Sequence, residues 1–81
     1  MTRAEIHARL TAVFRDVFDD DAVEIADATS AKDIRGWDSV KMVKLVLAAE
    51  ERFGVRMRSR EIDALKNVGD WIDLLAKKLA G

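Results

Sequence analysis

The sequence predicts an all-α protein: a small four-helix bundle with three main helices, one short helix and a long first loop. Apolar residues recur at helical spacing in three stretches, and no stretch alternates apolar and polar residues for long, as a strand would. Proline is absent from the 81 residues, and a polar segment over residues 19–37 separates the first apolar stripe from the second. We therefore expect a single domain over residues 1–81.

The first helix is predicted for residues 2–18. Thr2 precedes Glu5 by three positions, which is the pattern of a capping box at a helix N-terminus. Aspartates at 19–21 end the helix, because aspartate favours turns and is unfavourable at a helix C-terminus. His7, next to the apolar face, is expected to be solvated. The face itself is predicted to be buried; it consists of Ile6, Leu10, Val13, Phe14, Val17 and Phe18.

The long loop has three apolar anchors, Val23, Ile25 and Ile34, and a short turn is expected over residues 30–34. A loop of this length in a small domain is unusual and is often functional.

The second helix is predicted for residues 38–53, with Asp38 as its N-cap and Gly54 as the residue that ends it. It carries two apolar stripes. The stripe expected in the core consists of Met42, Leu45, Val46, Ala49 and Phe53. The neighbouring stripe, expected to be only partly covered in so small a bundle, consists of Val40, Val43 and Leu47.

Two further helices complete the predicted bundle. After an extended connector, a short helix is expected over residues 60–65, capped by Ser59. The last helix begins after Asn67, which acts as its cap. Its predicted buried stripe consists of Val68, Trp71, Ile72, Leu75 and Leu79.

Composition excludes several functional classes. The chain has no cysteine, which argues against a disulfide framework or a thiolate metal site. Its single histidine argues against most zinc sites and histidine-based catalysis, so no metal is expected. No apolar run is long enough for a membrane span, and no signal peptide opens the chain. We therefore expect a cytoplasmic protein that binds no membrane.

The net charge is −1, but the charges are unevenly distributed. Residues 16–33 are rich in acidic side chains, and residues 41–60 are rich in basic ones. Two solvated faces of opposite sign would account for this pattern, and so would a surface that recognises a partner.

The segment Gly36-Trp37-Asp38-Ser39-Val40, at the junction of the long loop and the second helix, is the most informative part of the sequence. Ser39 falls in the first helical turn, where free backbone N–H groups favour an anion such as a phosphate ester. Taken alone, the pair Asp38-Ser39 is also consistent with simple helix capping.

Residues 36–53 resemble the acyl carrier protein family, whose hallmark is Asp-Ser-Leu at the start of the second helix. Here the motif is Asp38-Ser39-Val40, and residues 43–53 are similar to that family's second helix without a gap. The basic connector, short helix and final helix follow in the same order, so the resemblance covers essentially the whole chain.

The resemblance implies a carrier and not an enzyme. In this family a phosphopantetheinyl transferase attaches 4′-phosphopantetheine from coenzyme A to the motif serine, which corresponds to Ser39, with Asp38 beside it. The arm then holds an acyl or aminoacyl group as a thioester. Because the arm supplies the sulfur, a protein without cysteine can carry thioesters.

The resemblance also implies that the second helix recognises partners. Fatty-acid members of the family are largely acidic on this helix, whereas this chain has Lys41 and Lys44 there. We therefore expect a dedicated pathway of polyketide or related secondary metabolism, with acyl-loading, condensing or tailoring enzymes as partners of a monomer that binds no nucleic acid. The candidate partner-binding residues are Val40, Lys41, Lys44, Leu47 and Glu51.

Three other functions compete with this interpretation. An aminoacyl or peptidyl carrier of a nonribosomal peptide-type pathway uses the same arm, although peptidyl carriers more often have histidine before the serine. A non-carrier helical module that binds nucleic acid or protein would use the basic residues 52–60, but no aromatic residue interleaves the arginines. A hydrolase lacks support, because Ser39 has no Gly-x-Ser-x-Gly frame.

Overall fold

The computed structural model describes residues 1–80, and Gly81, the last residue of the predicted domain, lies outside that range. Within it every secondary-structure element is a helix, which confirms the predicted fold class. Three main helices and one short helix form, and a turn of 3₁₀ helix interrupts the long first loop. In chain order the elements are α1 (Arg3–Phe18), the 3₁₀ turn (Ala31–Asp33), α2 (Ser39–Phe53), α3 (Ser59–Asp63) and α4 (Val68–Ala80).

The helix ends follow the predicted capping chemistry. Thr2 and Glu5 form the expected capping box, in which each side chain accepts a hydrogen bond from the other residue's backbone N–H. Asp19 ends α1 in the left-handed conformation, with φ at 50°. Gly54 ends α2 with φ at 66°, a region in which glycine has no Cβ to clash.

The core lies where α1 packs against both α2 and α4. The buried apolar side chains are Ile6, Leu10, Val13, Phe14, Ile25, Leu45, Val46, Ala49, Phe53, Met57, Val68, Trp71, Ile72 and Leu75. Over residues 1–80, no polar or charged residue is buried. The predicted core stripes therefore face inward, except that Met42, Val17, Phe18 and Leu79 lie half-buried at the edge of the cluster.

Phe14 is the centre of an aromatic cluster that joins three parts of the chain. Its ring lies 5.1 Å from the Trp37 ring and 5.8 Å from the Trp71 ring, centroid to centroid, and both pairs are edge-to-face. It also stacks at 6.2 Å on Phe18, at the end of α1. Trp37 immediately precedes the Asp38-Ser39 pair, so this cluster fixes the point at which the loop enters α2.

The long loop is anchored to the start of α4. The backbone N–H groups of Val68 and Gly69 donate to the carbonyl oxygens of Thr29 and Asp27, both at 2.8 Å. These bonds satisfy two donors that a helix N-terminus would otherwise leave free. A Cβ on Gly69 would lie 3.1 Å from Asp27 Cβ, which is tighter than an ordinary contact, so the close approach of loop and helix favours glycine here.

The expectation that His7 is solvated is wrong. The imidazole is half-buried, and its Nε2 lies 2.6 Å from the carbonyl oxygen of Ile25. Arg15 makes a similar contact with the same loop: its Nε donates to the carbonyl oxygen of Val23 at 2.8 Å. Both side chains bind carbonyls of loop residues that pack on or against the core, a pairing that hydrophobic periodicity does not reveal.

The bounds of α3 also differ from the expected 60–65 with Ser59 as cap. The helix runs from Ser59 to Asp63, and its start is set by the Glu61 carboxylate, which accepts the Arg58 N–H at 2.8 Å. Arg58 is therefore the cap, and Ser59 is the first helical residue. The Asn67 cap of α4 is confirmed, since its side-chain oxygen accepts the Asp70 N–H at 2.9 Å.

Two features are absent from residues 1–80. No helix in that range combines the length and the apolar character needed to cross a membrane. Nor does that range bring together three acidic or histidine side chains in a group suited to holding a metal ion.

Candidate functional site

Ser39 is the first residue of α2 and is exposed to solvent. Asp38 immediately before it is the N-cap: its Oδ1 accepts the Lys41 N–H at 2.9 Å, and its carbonyl accepts the Met42 N–H at 2.9 Å. The backbone N–H groups of Ser39 and Val40 come just before Lys41 and Met42 in the chain and take no part in these two hydrogen bonds. They belong to the unpaired first turn, where a helix favours negative charge. The Ser39 hydroxyl is thus accessible and lies in a field that suits a phosphate ester.

A cleft of about 420 Å³ opens beside Ser39. The long loop, the start of α2, α3 and the start of α4 form its walls, and both tryptophans of the chain, Trp37 and Trp71, line it. Three apolar side chains complete the lining: Met42 of α2, Ile62 of α3, and Leu65 in the connection after α3. The rim carries polar groups, including Asp63 and Lys66. The site therefore combines an exposed hydroxyl with an apolar recess next to it.

A second recess begins at Ser39 and runs along the outer face of α2. It is a groove of about 300 Å³, bounded by Ser39, Met42, Val43, Val46, Leu47 and Ile62. Val43 and Leu47 at its outer edge belong to the predicted second stripe, whose members Val40, Val43 and Leu47 are 62%, 59% and 60% exposed. The prediction that this stripe is only partly covered is confirmed. Exposed aliphatic side chains in a continuous row are typical of a protein–protein contact surface.

The three charged residues of α2 that are candidates for partner binding differ in their exposure to solvent. Lys44 and Glu51 are exposed and lie on the same face as Leu47. Lys41 is half-buried; its Nζ lies 3.4 Å from the Val17 carbonyl and 5.7 Å from the centre of the Phe18 ring. Its ammonium is therefore directed at the C-terminus of α1, where helix carbonyls favour a cation. Lys44 is the cation of this pair that an approaching protein would meet.

Sequence reasoning did not anticipate which residues of the C-terminal half reach Ser39. Ile62, Asp63, Leu65 and Lys66 line the cleft, although they stand more than twenty positions downstream. The sequence carries a weak signal for this, because Ile62 and Leu65 are apolar residues in a short amphipathic segment. That both side chains face the cleft follows only from the packing of α3 between α2 and α4.

The comparisons with known proteins agree with this geometry. The family model for a phosphopantetheine attachment site matches residues 8–75. An acyl carrier protein from Acidothermus cellulolyticus is 36% identical over 76 residues, which cover 94% of this chain and 90% of that protein. The chain belongs to the acyl carrier protein family. The family resemblance noted from the sequence is thereby confirmed.

Two further acyl carrier proteins are similar over nearly the full chain. The protein from Thermosynechococcus vestitus is 33% identical over 81 residues, which cover 99% of each chain. A solution NMR structure of the holo acyl carrier protein from Geobacter metallireducens superposes with a TM-score of 0.86 at 43% identity, covering 91% of this chain and 85% of that one. None of these three names specifies a pathway, so the pathway stays a prediction.

Acyl carrier proteins are carriers rather than enzymes, and 4′-phosphopantetheine is the prosthetic group of the family. The residues of this chain fit that group. The exposed hydroxyl at the start of α2 suits attachment, the free N–H groups of the first turn suit its phosphate, and the apolar cleft beside it can shelter a chain. As part of a holo protein, the group supplies the thiol that this cysteine-free chain lacks.

Proposed function

We propose that Ser39 carries the 4′-phosphopantetheine arm and that the arm presents acyl groups, bound as thioesters, to partner enzymes. The observation that supports this is the position of Ser39, exposed as the first residue of α2 beside a cleft of about 420 Å³. In attachment, the Ser39 oxygen attacks the phosphorus of coenzyme A that bears the pantetheine. The pyrophosphate bond breaks, adenosine 3′,5′-bisphosphate leaves, and the hydroxyl proton passes to solvent or to a base of the transferase.

Incubation with coenzyme A and a broad-specificity phosphopantetheinyl transferase tests this function. We expect the intact mass to increase by one phosphopantetheine group, and tandem mass spectrometry of the peptides to place that group on Ser39. Purified protein must first be shown by mass to be unmodified and by circular dichroism to be helical. A folded, unmodified protein that gains no mass would contradict the proposal and leave a non-carrier binding module as the better account.

The cargo is proposed to be an acyl group, because the relatives that cover the whole chain are acyl carrier proteins. The test is to offer the same transferase acyl- and aminoacyl-coenzyme A, and then to offer holo protein to loading enzymes of each class. Efficient loading by an adenylating aminoacyl ligase and not by acyltransferases would favour the aminoacyl or peptidyl carrier instead.

We place the carrier in polyketide or related secondary metabolism, with acyl-loading, condensing or tailoring enzymes as partners of a monomeric, cytoplasmic single domain over residues 1–81. The support is the charge of α2, where Lys44 is exposed on the face that continues from Ser39. Enzymes of fatty-acid synthesis that bind an acidic α2 through basic residues should load and elongate acyl groups on this carrier inefficiently. If they load and elongate acyl groups on it as efficiently as on their own carrier, this placement is wrong.

The α2 surface formed by Val40, Lys41, Lys44, Leu47 and Glu51 is proposed as the partner-docking face. Leu47 is the C-terminal member of the exposed aliphatic row and 60% of it is accessible, so it has area to bury against a partner. Lys41 would take part through its stem, because its ammonium is held at the end of α1. Lys44 and Glu51 would supply the charged rim around Leu47.

The docking face is tested by Leu47→Asp. We expect kcat/KM for transfer of phosphopantetheine to fall about tenfold, because an aspartate in an apolar contact costs on the order of 1–2 kcal/mol. The melting temperature should change little, since substitutions at exposed positions are usually worth about 0.5 kcal/mol or less.

Ala8→Asp is the matched control for Leu47→Asp. It adds the same charge at an exposed position of α1, away from Ser39. Equal losses of transfer in the two variants would show that net charge, rather than the α2 surface, determines recognition.

A further inference from the structure

Helix α3 is a thin wall of the cleft beside Ser39. It has five residues, and none of them is buried. Ile62 and Asp63 of this helix, with Leu65 just after it, nevertheless line the cleft. Ile62 also borders the groove along α2, so one short element separates the two recesses that meet at Ser39. Ile62 and Leu65 pack against the edge of the core, but an element without a fully buried side chain also depends on specific polar contacts for its position.

Glu61 supplies those contacts on the side of α4. Its Oε1 accepts the Arg58 N–H at 2.8 Å and lies 3.0 Å from the Lys78 ammonium nitrogen. One carboxylate thus caps α3 and ties it to the last turn of α4. The two side chains are 26% and 22% exposed, whereas the side chains in the other ion pairs of residues 1–80 are 42% to 72% exposed. The Glu61–Lys78 pair is therefore the best shielded of these ion pairs, and shielding strengthens it.

A second glutamate fixes the connector that precedes α3. The Oε2 atom of Glu50, on α2, accepts the Met57 N–H at 2.8 Å, and the Met57 side chain is buried in the core. The connector before α3 is therefore fixed to α2 independently of Glu61. Loss of the Glu61 contacts would release α3 from α4 while the connector stays in place. We therefore expect α3 to move away from α4 without unfolding of the connector.

The Glu61 carboxyl stays ionised at neutral pH. Its pKa is lowered from the ordinary value of 4.5, first by the hydrogen bond from the Arg58 backbone and then by Lys78. Both interactions favour the charged form. The contact between α3 and α4 is accordingly complete under the conditions in which a carrier works.

We propose that Glu61 is a positioning residue that, through Arg58 and Lys78, fixes α3 and so sets the width of the cleft beside Ser39. The contacts of Glu61 with Arg58 and Lys78 are present in the unmodified chain, so their effect on α3 can be measured before Ser39 is modified. The consequence for cargo rests on the proposed function: with Glu61 in place the cleft shelters an acyl chain, and with the contact broken the chain is more exposed.

The two tryptophans make the inference directly measurable. Trp37 and Trp71 are the only tryptophans of the chain, and both line the cleft, so quenching of intrinsic fluorescence by acrylamide reports on its opening. In the unmodified protein we expect Glu61→Gln and Lys78→Met each to increase quenching. Amide hydrogen exchange should become about tenfold faster over α3 and remain unchanged in α1. The double variant should resemble either single variant, because both remove the same contact.

The controls are Glu51→Gln and Lys77→Met, which remove the same charges at exposed positions. Unchanged quenching and α3 exchange in Glu61→Gln and Lys78→Met would overturn the inference. Faster exchange in α1 and α4 to the same extent as in α3 would overturn it too, because it would indicate general destabilisation.

A protein that cannot be modified at Ser39 would refute the proposed function and leave these measurements valid. In acylated protein, Glu61→Gln should make the thioester more sensitive to hydroxylamine.

Discussion

Ser39→Ala is expected to leave the protein folded and wholly unable to accept phosphopantetheine. The hydroxyl is the only group that the substitution removes, and Ser39 is exposed at the first position of α2. The cap of α2 comes from Asp38, whose carboxylate accepts the Lys41 N–H, so the helix retains its start. Stability should change by about 0.5 kcal/mol or less, as for most exposed substitutions. Intact mass after incubation with transferase and coenzyme A, beside a thermal melt, measures both effects.

The chain offers two matched controls for this experiment, because it has three serines in all. Ser59 is exposed and is the first residue of α3, which is a position like that of Ser39 on a different helix. Ser30 donates its hydroxyl to the Asp33 carboxylate at 3.2 Å in the 3₁₀ turn. Ser59→Ala and Ser30→Ala should both gain one full group. Mass gain by Ser39→Ala, or its loss in Ser59→Ala, would assign attachment to another residue.

The parts of the fold that the sequence predicts are those determined by local rules. The capping box of Thr2 and Glu5, the end of α2 at Gly54 and the cap at Asn67 depend on neighbouring residues, and each appears as expected. The buried stripes likewise follow from helical periodicity. Ser39 stands out in the sequence for the same reason, since an Asp-Ser pair at the start of a helix is a local pattern that the family resemblance makes specific.

The rest of the site depends on contacts between distant positions. Glu61 meets Lys78, and His7 meets the carbonyl of Ile25, only because helices and loop are packed together. Neither contact has a signature in sequence spacing. Charge type is a poor guide for the same reason: Lys41 and Lys44 are equivalent in the sequence, yet the Lys41 ammonium is held against α1 whereas Lys44 is exposed.

Phe14→Ala is expected to destabilise the protein more than any substitution at the exposed positions of α2. The side chain is fully buried and contacts Phe18, Trp37 and Trp71, so its loss leaves a cavity at the junction of α1, the loop and α4. Phenylalanine-to-alanine changes in cores cost about 3–5 kcal/mol, and a chain of this length has only about 4–12 kcal/mol in total. The melting temperature should fall by more than about 15 °C, as measured by circular dichroism.

Phe14→Leu separates the effect on folding from the effect on the site. Leucine fills much of the volume, so stability should fall by about 1–2 kcal/mol and the protein should stay folded at room temperature. It cannot provide the edge-to-face contact with Trp37, which precedes Asp38 and fixes the loop where it enters α2. Transfer to Ser39 should therefore slow more than the loss of stability accounts for, whereas Val13→Ala, elsewhere in the buried face of α1, should reduce stability without that extra effect. Equal transfer rates in folded Phe14→Leu and Val13→Ala would show that the aromatic cluster supports the fold alone. A Phe14→Ala protein that melts within a few degrees of the wild type would contradict its central place in the core.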